Sequence, residues 1–442
     1  MFGHPKGLYV LFLTEMWERF SFYGMRAILV LYLVAQTEAG GFGWTKAEAL
    51  ELYGWYTMLV YLTSIPGGII ADRYLGQKKS VFIGGALLVA GHALMAFPGY
   101  FAFFGALALI VSGVGLLKPN ISTMVGGLYP DGDSRRDSAF TIFYIGINIG
   151  AFMAALIVGY VGEKIGWHYG FALAGVGMLL GQIQYMLGQK HLTHVGNLER
   201  NLSSSGARIA HPPLGREDRD RIIALLISFL IVIVFWGAYE QAGGFMSLYT
   251  DEFVDRNLMG FEVPTSWFQS LNPLFIIVFG GIMSGLWIWM AKRKSEPSSI
   301  AKMGWGTAVM GLGFILMVGA SFSRGAGWLQ IDTDSTIKAG MGWIAGAYLF
   351  HTLGELMLSP VSLSFISKTA PKRMVASMMG LYFAVTGVAS FLAAKIGQQA
   401  EKLGELAVFA LIAIVSISLG LLLVLFSKQI NKLTHEKSVI NP

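Results

Sequence analysis

Long hydrophobic runs recur along the whole chain, separated by short polar interruptions. Two of them read KKSVFIGGALLVAGHALMAFPG and ELAVFALIAIVSISLGLLLVLF, and each has about the 20 residues that a helix needs to cross the hydrocarbon core of a bilayer. The interruptions, such as FPGY and SEPSS, carry ordinary turn signals. The pattern predicts an all-α integral membrane protein with twelve transmembrane helices. Their predicted bounds are about 7–36, 49–74, 79–98, 101–128, 138–161, 167–188, 219–249, 267–291, 302–322, 337–366, 372–399 and 404–427.

The composition agrees with this prediction and removes several classes of chemistry. Charged residues make up 13% of the 442 residues, against about 25% in a typical soluble chain. The sequence has no cysteine, which excludes disulfides, thiolate metal sites and cysteine nucleophiles. It opens with the short MFGHPKG and runs on into the first predicted helix, so no cleavable signal peptide is expected.

Basic residues are distributed unevenly between the two sets of connectors. The connectors on one side, with both tails, hold 22 lysines and arginines, whereas the connectors on the other side hold 6. By the positive-inside rule the first set is cytoplasmic, and so are both termini. The net charge of +6 is therefore explained by membrane topology, and no nucleic-acid partner is expected.

The longest polar connector divides the predicted helices into two groups of six. Residues 189–218 contain NLERNLSSSGARIAHPPLGRED, a composition typical of a flexible linker. On this basis the chain consists of an N-terminal six-helix bundle, 1–188, and a C-terminal six-helix bundle, 219–442, joined by a cytoplasmic linker.

A basic loop follows the second predicted helix of each half. GGIIADRYLGQKKS in the first half has a weak counterpart in GGIMSGLWIWMAKRKS in the second. A duplicated chain with this loop resembles the major facilitator superfamily. Asp72 and Arg73 in the first loop are candidate gating residues, which would pair with neighbouring helix ends on the cytoplasmic side. The alternative is that the loop only anchors the topology.

The first predicted helix contains EMWERFSFYGMR, which places four charged residues inside an apolar span. A charged group at a helix centre costs about 2.5–3.5 kcal/mol on the insertion scale, so such residues are functional candidates. At about 100° per residue they share one face, which must point to a water-accessible interior. A purely structural pairing of Arg19 with its neighbouring acids would leave Arg26 without a local acid. The polar face consists of Glu15, Glu18, Arg19, Phe22, Tyr23 and Arg26.

Other predicted helices carry polar residues beside glycine or proline. Lys118 precedes Pro119, where a kink is expected, Asn272 precedes Pro273, and Glu240 is followed closely by a glycine pair. Interrupted helices in both halves indicate a transport site near the bilayer midplane. Further candidates are Asn148 in the fifth helix and His351, Glu355 and Ser359 on one face of the tenth; His351 is equally well explained as a structural residue. Cations in the first half and acids in the second suit a zwitterionic substrate.

Five segments, in order and spread over nearly the whole chain, resemble signatures of the proton-dependent oligopeptide transporter (POT/PTR) family. They read EMWERFSFYG, LLKPNIST, FYIGINIGA, FWGAYEQ and HTLGELMLSP. The resemblance implies the major facilitator fold with two six-helix bundles. It also implies a symporter, not an enzyme, which imports di- and tripeptides with protons by alternating access and needs no cofactor.

The resemblance implies a role for each matched residue as well. Proton coupling is expected at Glu15, Glu18, Arg19 and Lys118. Arg26 and Lys118 would hold the peptide carboxylate, and Glu355, helped by Asn148 and Asn272, would hold the ammonium group. The remaining substrate contacts would come from Tyr23, Tyr61, Ser359 and Tyr382. The pairs Arg26–Glu240 and Lys118–Glu355 would form and break as gates.

Three departures from the family pattern stand out. Phe22 occupies a position where many members have tyrosine, which removes one hydroxyl. Tyr382 stands where bacterial members often have tryptophan, so the preferred peptide side chains can differ. Many bacterial members carry two extra helices between the halves, for which 189–218 has no room.

Another proton-coupled transporter of small molecules is the alternative function, either a drug or metabolite exporter or an anion carrier. The charged face of the first helix and Glu355 favour peptides, because together they match both ends of a zwitterion. An intramembrane enzyme is disfavoured because the sequence contains no HExxH. The expected setting is a monomer in the lipid of a bacterial inner membrane, with peptide and protons as partners and no metal.

Overall fold

In the computed structural model the described residues are 3–130, 133, 135–198, 215–328, 336–371 and 374–435. They are almost entirely helical. The α-helices are α1 (Lys6–Val34), α2 (Lys46–Leu62), α3 (Ser64–Ile70), α4 (Gln77–Met95), α5 (Tyr100–Gly127), α6 (Arg135–Lys164), α7 (Trp167–Gly188), α8 (Arg216–Tyr239), α9 (Phe245–Phe253), α10 (Leu271–Lys292), α11 (Ser299–Ser323), α12 (Met341–Thr369), α13 (Val375–Gln398), α14 (Ala400–Leu403) and α15 (Glu405–Leu433). Short 3₁₀ segments lie at Thr37–Ala39, Gln189–His191, Glu240–Gly243 and Thr265–Ser270, and two-residue strands at β1 (Val254–Asp255), β2 (Asn257–Leu258), β3 (Phe261–Glu262) and β4 (Ala339–Gly340). Strands β2 and β3 pair as an antiparallel hairpin.

Each predicted span coincides with one of these helices or with two in succession. Within the described ranges, nine helical stretches are long and apolar enough to cross a membrane. The predicted linker 189–218 is described only at 189–198 and 215–218. Among the basic residues counted as cytoplasmic, those outside the described residues are Arg200, Arg208, Lys372, Arg373 and Lys437.

The chain divides into two compact units. The first consists of Met1–Glu199 and Gln241–Ile277, and the second of Arg200–Glu240 and Val278–Pro442. The end of the seventh predicted helix and the start of the eighth therefore pack with the first unit. The sequence-based division into bundles 1–188 and 219–442 remains a prediction.

Helix α1 forms the centre of the first unit, where it packs against α6 and α7. A Cβ added at Gly150 of α6 would lie 2.2 Å from the carbonyl oxygen of Met16, so the two backbones touch at this point. Small residues allow such close approach between helices in a membrane, where dispersion contacts replace the hydrophobic effect as the driving force.

The second predicted span is broken into two helices and a π-helical turn. Pro66 has no N–H to donate to the carbonyl of Leu62, and the break falls at the intervening Thr63. The π-helical turn, Ala71–Leu75, carries the two candidate gating residues of the loop motif and ends at Gly76, whose φ of 76° suits glycine. Asp72 and Arg73 are both exposed, and neither has an ion-pair partner among the residues that the structure describes.

Proline does not interrupt the fourth and tenth spans. The kink expected at Pro119 stays a prediction, and α5 continues through this residue from Tyr100 to Gly127. Pro119 has no N–H to donate to the carbonyl of Gly115. A Cβ added at Gly67 of α3 would lie 2.0 Å from the oxygen of that carbonyl. Helix α3 thus packs against a carbonyl that lacks its usual helical hydrogen bond. Neighbouring helices help to accommodate such carbonyls beside a proline in a transmembrane helix. The interruption near Glu240 is confirmed, because a 3₁₀ segment separates α8 from α9.

The second unit is built around α11, which packs against α12 and α15. Glycines again set the closest contacts: a Cβ at Gly304 would lie 2.8 Å from the carbonyl of Gly420, and one at Gly306 would lie 2.7 Å from that of another glycine, Gly354. At one end of this packing Arg324 and Glu405 form a buried ion pair, which joins the residue after α11 to the first residue of α15.

Candidate functional site

Three charged side chains of α1 lie together in the interior of the first unit. The Nε atom of Arg19 is 3.0 Å from Oε1 of Glu15 and 2.5 Å from Oε2 of Glu18. Each of the three side chains is at most 4% exposed. All three lie within 15–19 of one helix, so the cluster needs no other element to form. One guanidinium is thus shared between two carboxylates of its own helix, which is the pairing that the sequence offered as the structural alternative.

Lys118 of α5 brings a second cation to this cluster. It interacts electrostatically with Glu18, and its ammonium lies 4.4 Å from the ring centroid of Tyr61. Lys118 is half-buried. The cluster therefore holds two acids and two cations, of which Glu15, Glu18 and Arg19 are buried. At such a site a change in the protonation of one acid strongly changes the balance of charge.

Arg26, two turns further along α1, is held by a residue that the sequence did not reveal as a candidate. Its Nε donates a hydrogen bond of 2.7 Å to the hydroxyl of Tyr53 on α2. Its guanidinium also lies 5.7 Å from the ring of Tyr23. A Cβ at Gly243 would come within 2.2 Å of the Tyr53 hydroxyl, so only glycine fits the backbone beside this pair.

A second missed residue, Tyr56, lies one turn from Tyr53 on α2. Its ring stacks against Phe22 with a centroid distance of 6.4 Å and an interplanar angle of 27°. It is 2% exposed, and its hydroxyl has no hydrogen-bond partner in the described part of the chain. Three tyrosines on one face of the second predicted span, including Tyr61, were the signal that would have revealed this group.

The two asparagine candidates of the first unit are buried. Asn148 on α6 donates its amide N–H to the carbonyl of Tyr144 at 2.9 Å, which leaves its amide oxygen as an acceptor. Asn272 lies in the first turn of α10 and is 9% exposed. Both asparagines lie on helices, as predicted. Asn148 is close to the turn of α6 that touches α1.

The second unit carries the remaining candidates. Glu240 and Glu355 are buried, and Ser359 on α12 is half-buried. Tyr382 on α13 is buried, and its hydroxyl oxygen accepts a hydrogen bond of 3.4 Å from Ser362. α12 and α13 therefore bring an acid, a serine and a tyrosine to one unit.

His351 is buried in an apolar environment and, among the described residues, lacks the hydrogen bonds expected of a structural histidine. It is buried against Phe314, with ring centroids 4.6 Å apart. Its two ring nitrogens have no hydrogen-bond partner among the described residues. A Cβ at Gly313 would lie 2.4 Å from its ring. His351 thus fills a gap between α11 and α12.

Comparison with known proteins identifies the family. The model of the POT family matches residues 78–211 and 214–412. The chain belongs to the POT family. A POT relative, the peptide transporter YePEPT of Yersinia enterocolitica, is 35% identical over 98% of this chain and 96% of its own length. The di-/tripeptide transporter of Lactococcus lactis subsp. cremoris is 34% identical over 98% of this chain and 97% of its own length.

A solved POT structure agrees in fold. The crystal structure of a mutant of the peptide transporter POT in complex with alafosfalin matches with a TM-score of 0.89 and 36% identity, covering 99% of this chain and 97% of that one. The predicted fold, a major facilitator protein with 12 transmembrane helices, is confirmed by this match and by POT membership. The chain is a multi-pass integral membrane protein of a transporter family.

Proposed function

We propose that this protein is a symporter that imports di- and tripeptides together with protons by alternating access. The observation that carries the proposal is the sharing of Arg19 between Glu15 and Glu18 beside Lys118. POT relatives named as peptide and di-/tripeptide transporters support the substrate class. No cofactor takes part.

The substrate is held by its two charged ends. Arg26 and Lys118 bind the peptide carboxylate, since a guanidinium and an ammonium provide charge-assisted donors. Glu355 binds the peptide ammonium, helped by Asn148 and Asn272. The rings of Tyr23 and Tyr61 lie beside the two cations and form part of the peptide site, to which the second unit contributes Ser359 and Tyr382.

The proton enters at the carboxylates of α1. When Glu18 or Glu15 takes a proton, the cluster loses one negative charge, and Arg19 and Lys118 are no longer fully neutralised. A peptide carboxylate then replaces the lost charge. Proton and peptide therefore bind together, because each removes the electrostatic cost of the other. The inward proton gradient drives the cycle.

Alternating access needs contacts that form on one side while others break. We assign this role to the pairs Arg26–Glu240 and Lys118–Glu355. Asp72 and Arg73 act at the cytoplasmic end, where the π-helical turn exposes both side chains. The protein works as a monomer in the inner membrane of a bacterium, with both termini in the cytoplasm.

Uptake of dialanine into proteoliposomes, with and without an inward proton gradient, tests the proposal. We expect gradient-dependent uptake by the unmodified protein. In Glu18→Gln, only exchange with internal dialanine should remain, because the amide cannot take up a proton. Absence of dialanine and trialanine transport under any gradient would refute peptide transport. If Glu18→Gln shows gradient-driven uptake equal to that of the unmodified protein, Glu355 becomes the candidate residue for proton coupling.

A further inference from the structure

A crevice lies within the second unit, apart from the residues assigned to peptide and proton. It has a volume of about 950 Å³ and opens between α10, the start of α11, the far half of α12 and the end of α15. Volumes of about 300–1,000 Å³ are typical of sites for small organic ligands.

Part of the crevice lining is apolar. It includes Met283 and Trp287 of α10 and Leu356 and Phe365 of α12. The rest of α10 packs loosely, with large apolar side chains such as Ile282 61% exposed. An empty gap between these helices would forfeit dispersion contacts on both walls. A flexible hydrocarbon chain restores these contacts without requiring the helices to move.

Two lysines and one glutamate also line the crevice, so its lining carries an excess of positive charge. Lys302 forms an ion pair with Glu296, and its ammonium lies 4.5 Å from the ring of Trp287. Lys368 is exposed and has no ion-pair partner among the described residues. The basic run Lys292–Lys294 at the end of α10 adds to this field.

A crevice lined by both apolar side chains and lysines matches one class of molecule. We propose that the crevice binds an anionic phospholipid, with its phosphate at Lys302 and Lys368 and one acyl chain between α10 and α12. The positive-inside rule places this end of the bundle at the cytoplasmic leaflet. Basic pockets between transmembrane helices on that side bind anionic headgroups. Glu296 holds the Lys302 ammonium at the mouth, and Lys368 supplies the charge that is not neutralised.

The lipid would act on the helix that carries Glu355. Leu356, the next residue of α12, forms part of the crevice wall. An acyl chain in contact with Leu356 therefore packs one residue away from a buried carboxylate of the transport site.

Native mass spectrometry of the full chain, purified in detergent and titrated with phosphatidylglycerol or phosphatidylcholine, tests the proposal. We expect phosphatidylglycerol to bind more tightly than phosphatidylcholine. The double variant Lys302→Gln/Lys368→Gln should weaken phosphatidylglycerol binding on the order of tenfold or more, because each basic residue at headgroup level attracts the anionic lipid. Lys6→Gln/Lys190→Gln, with the same change of charge in the first unit, should bind like the unmodified protein.

A second variant separates the acyl chain from the headgroup. Ser364→Trp places a ring in the crevice without changing its charge, and it should lower binding of both lipids. Unfolding temperatures of all variants check that each is folded. Equal phosphatidylglycerol binding by the lysine double variant and its control would overturn the proposal. So would displacement of the lipid by inorganic phosphate, since that result would assign the site to a free anion.

Discussion

Each unit contains a buried arginine paired with glutamate, and the two arrangements differ in how far apart the partners lie in the chain. Arg19 pairs with Glu15 and Glu18 within one turn of α1. Arg324 and Glu405 are distant in sequence and join α11 to α15. A local cluster can exchange protons and partners without moving any helix. A pair between helices is part of the packing, so breaking it disturbs the fold.

The largest effect is expected for Glu405→Ala. Removal of one partner leaves the buried guanidinium of Arg324 without this carboxylate, which costs about 3–5 kcal/mol in the free energy of unfolding. Chemical denaturation in detergent measures the loss. Glu401→Ala, at an exposed position of α14, is the matched control and should have little effect. If the free energy of unfolding of Glu405→Ala changes by less than about 1 kcal/mol, this pair contributes no more than an ordinary surface ion pair.

Glu18→Gln should show the opposite combination. Gradient-driven uptake should fall by at least about tenfold, equivalent to about 1.4 kcal/mol, whereas the unfolding temperature should stay close to that of the unmodified protein. Stability persists because Glu15 still neutralises Arg19. Both quantities are measured on the same purified samples, with Glu15→Gln as the companion variant. A loss of stability in Glu18→Gln as large as that of Glu405→Ala would remove the distinction between the two arrangements.

The smallest effects compare two tyrosines of α2. Tyr53→Phe removes the acceptor for Nε of Arg26, and since a hydrogen bond to a charged group contributes about 1.5–3 kcal/mol, we expect the KM for dialanine to rise about tenfold. Tyr56→Phe removes a hydroxyl without a hydrogen-bond partner in the described residues, so its KM should stay within about twofold. Initial rates over a range of dialanine concentrations measure both. Equal effects would mean that Arg26 does not depend on Tyr53 for its position.

The sequence was sufficient to predict the twelve spans and the charged face of α1. Hydrophobic runs report contact with lipid directly, and four charges inside one such run indicate a polar interior, because lipid does not tolerate them. The membership of the POT family and the fold were therefore accessible before any coordinates. The continuity of α5 through Pro119 could not be predicted from the sequence, because it depends on the packing of α3 at the carbonyl of Gly115.

Side-chain partners across helices also escaped prediction. Arg324 lies just beyond the predicted span 302–322 and is nevertheless only 1% exposed. Nothing near it in the chain signals a partner at Glu405. Tyr53 and Tyr56 read as ordinary aromatic residues of an apolar helix. Their roles depend on the side chains of the helix that packs against α2. The hydropathy pattern does not predict which helix that is.

The local character of the α1 cluster has a consequence for biosynthesis. Because α1 precedes α2 to α15 in the chain, it is synthesised before any of them can supply a counter-ion. Glu15 and Glu18 neutralise Arg19 from within the same helix, so the cost of inserting isolated charges, about 2.5–3.5 kcal/mol each, is reduced from the start. The hydrogen bond from Arg26 to Tyr53 can form only once α2 has followed. The nascent hairpin of α1 and α2 is thus the smallest piece of the chain in which this hydrogen bond can form.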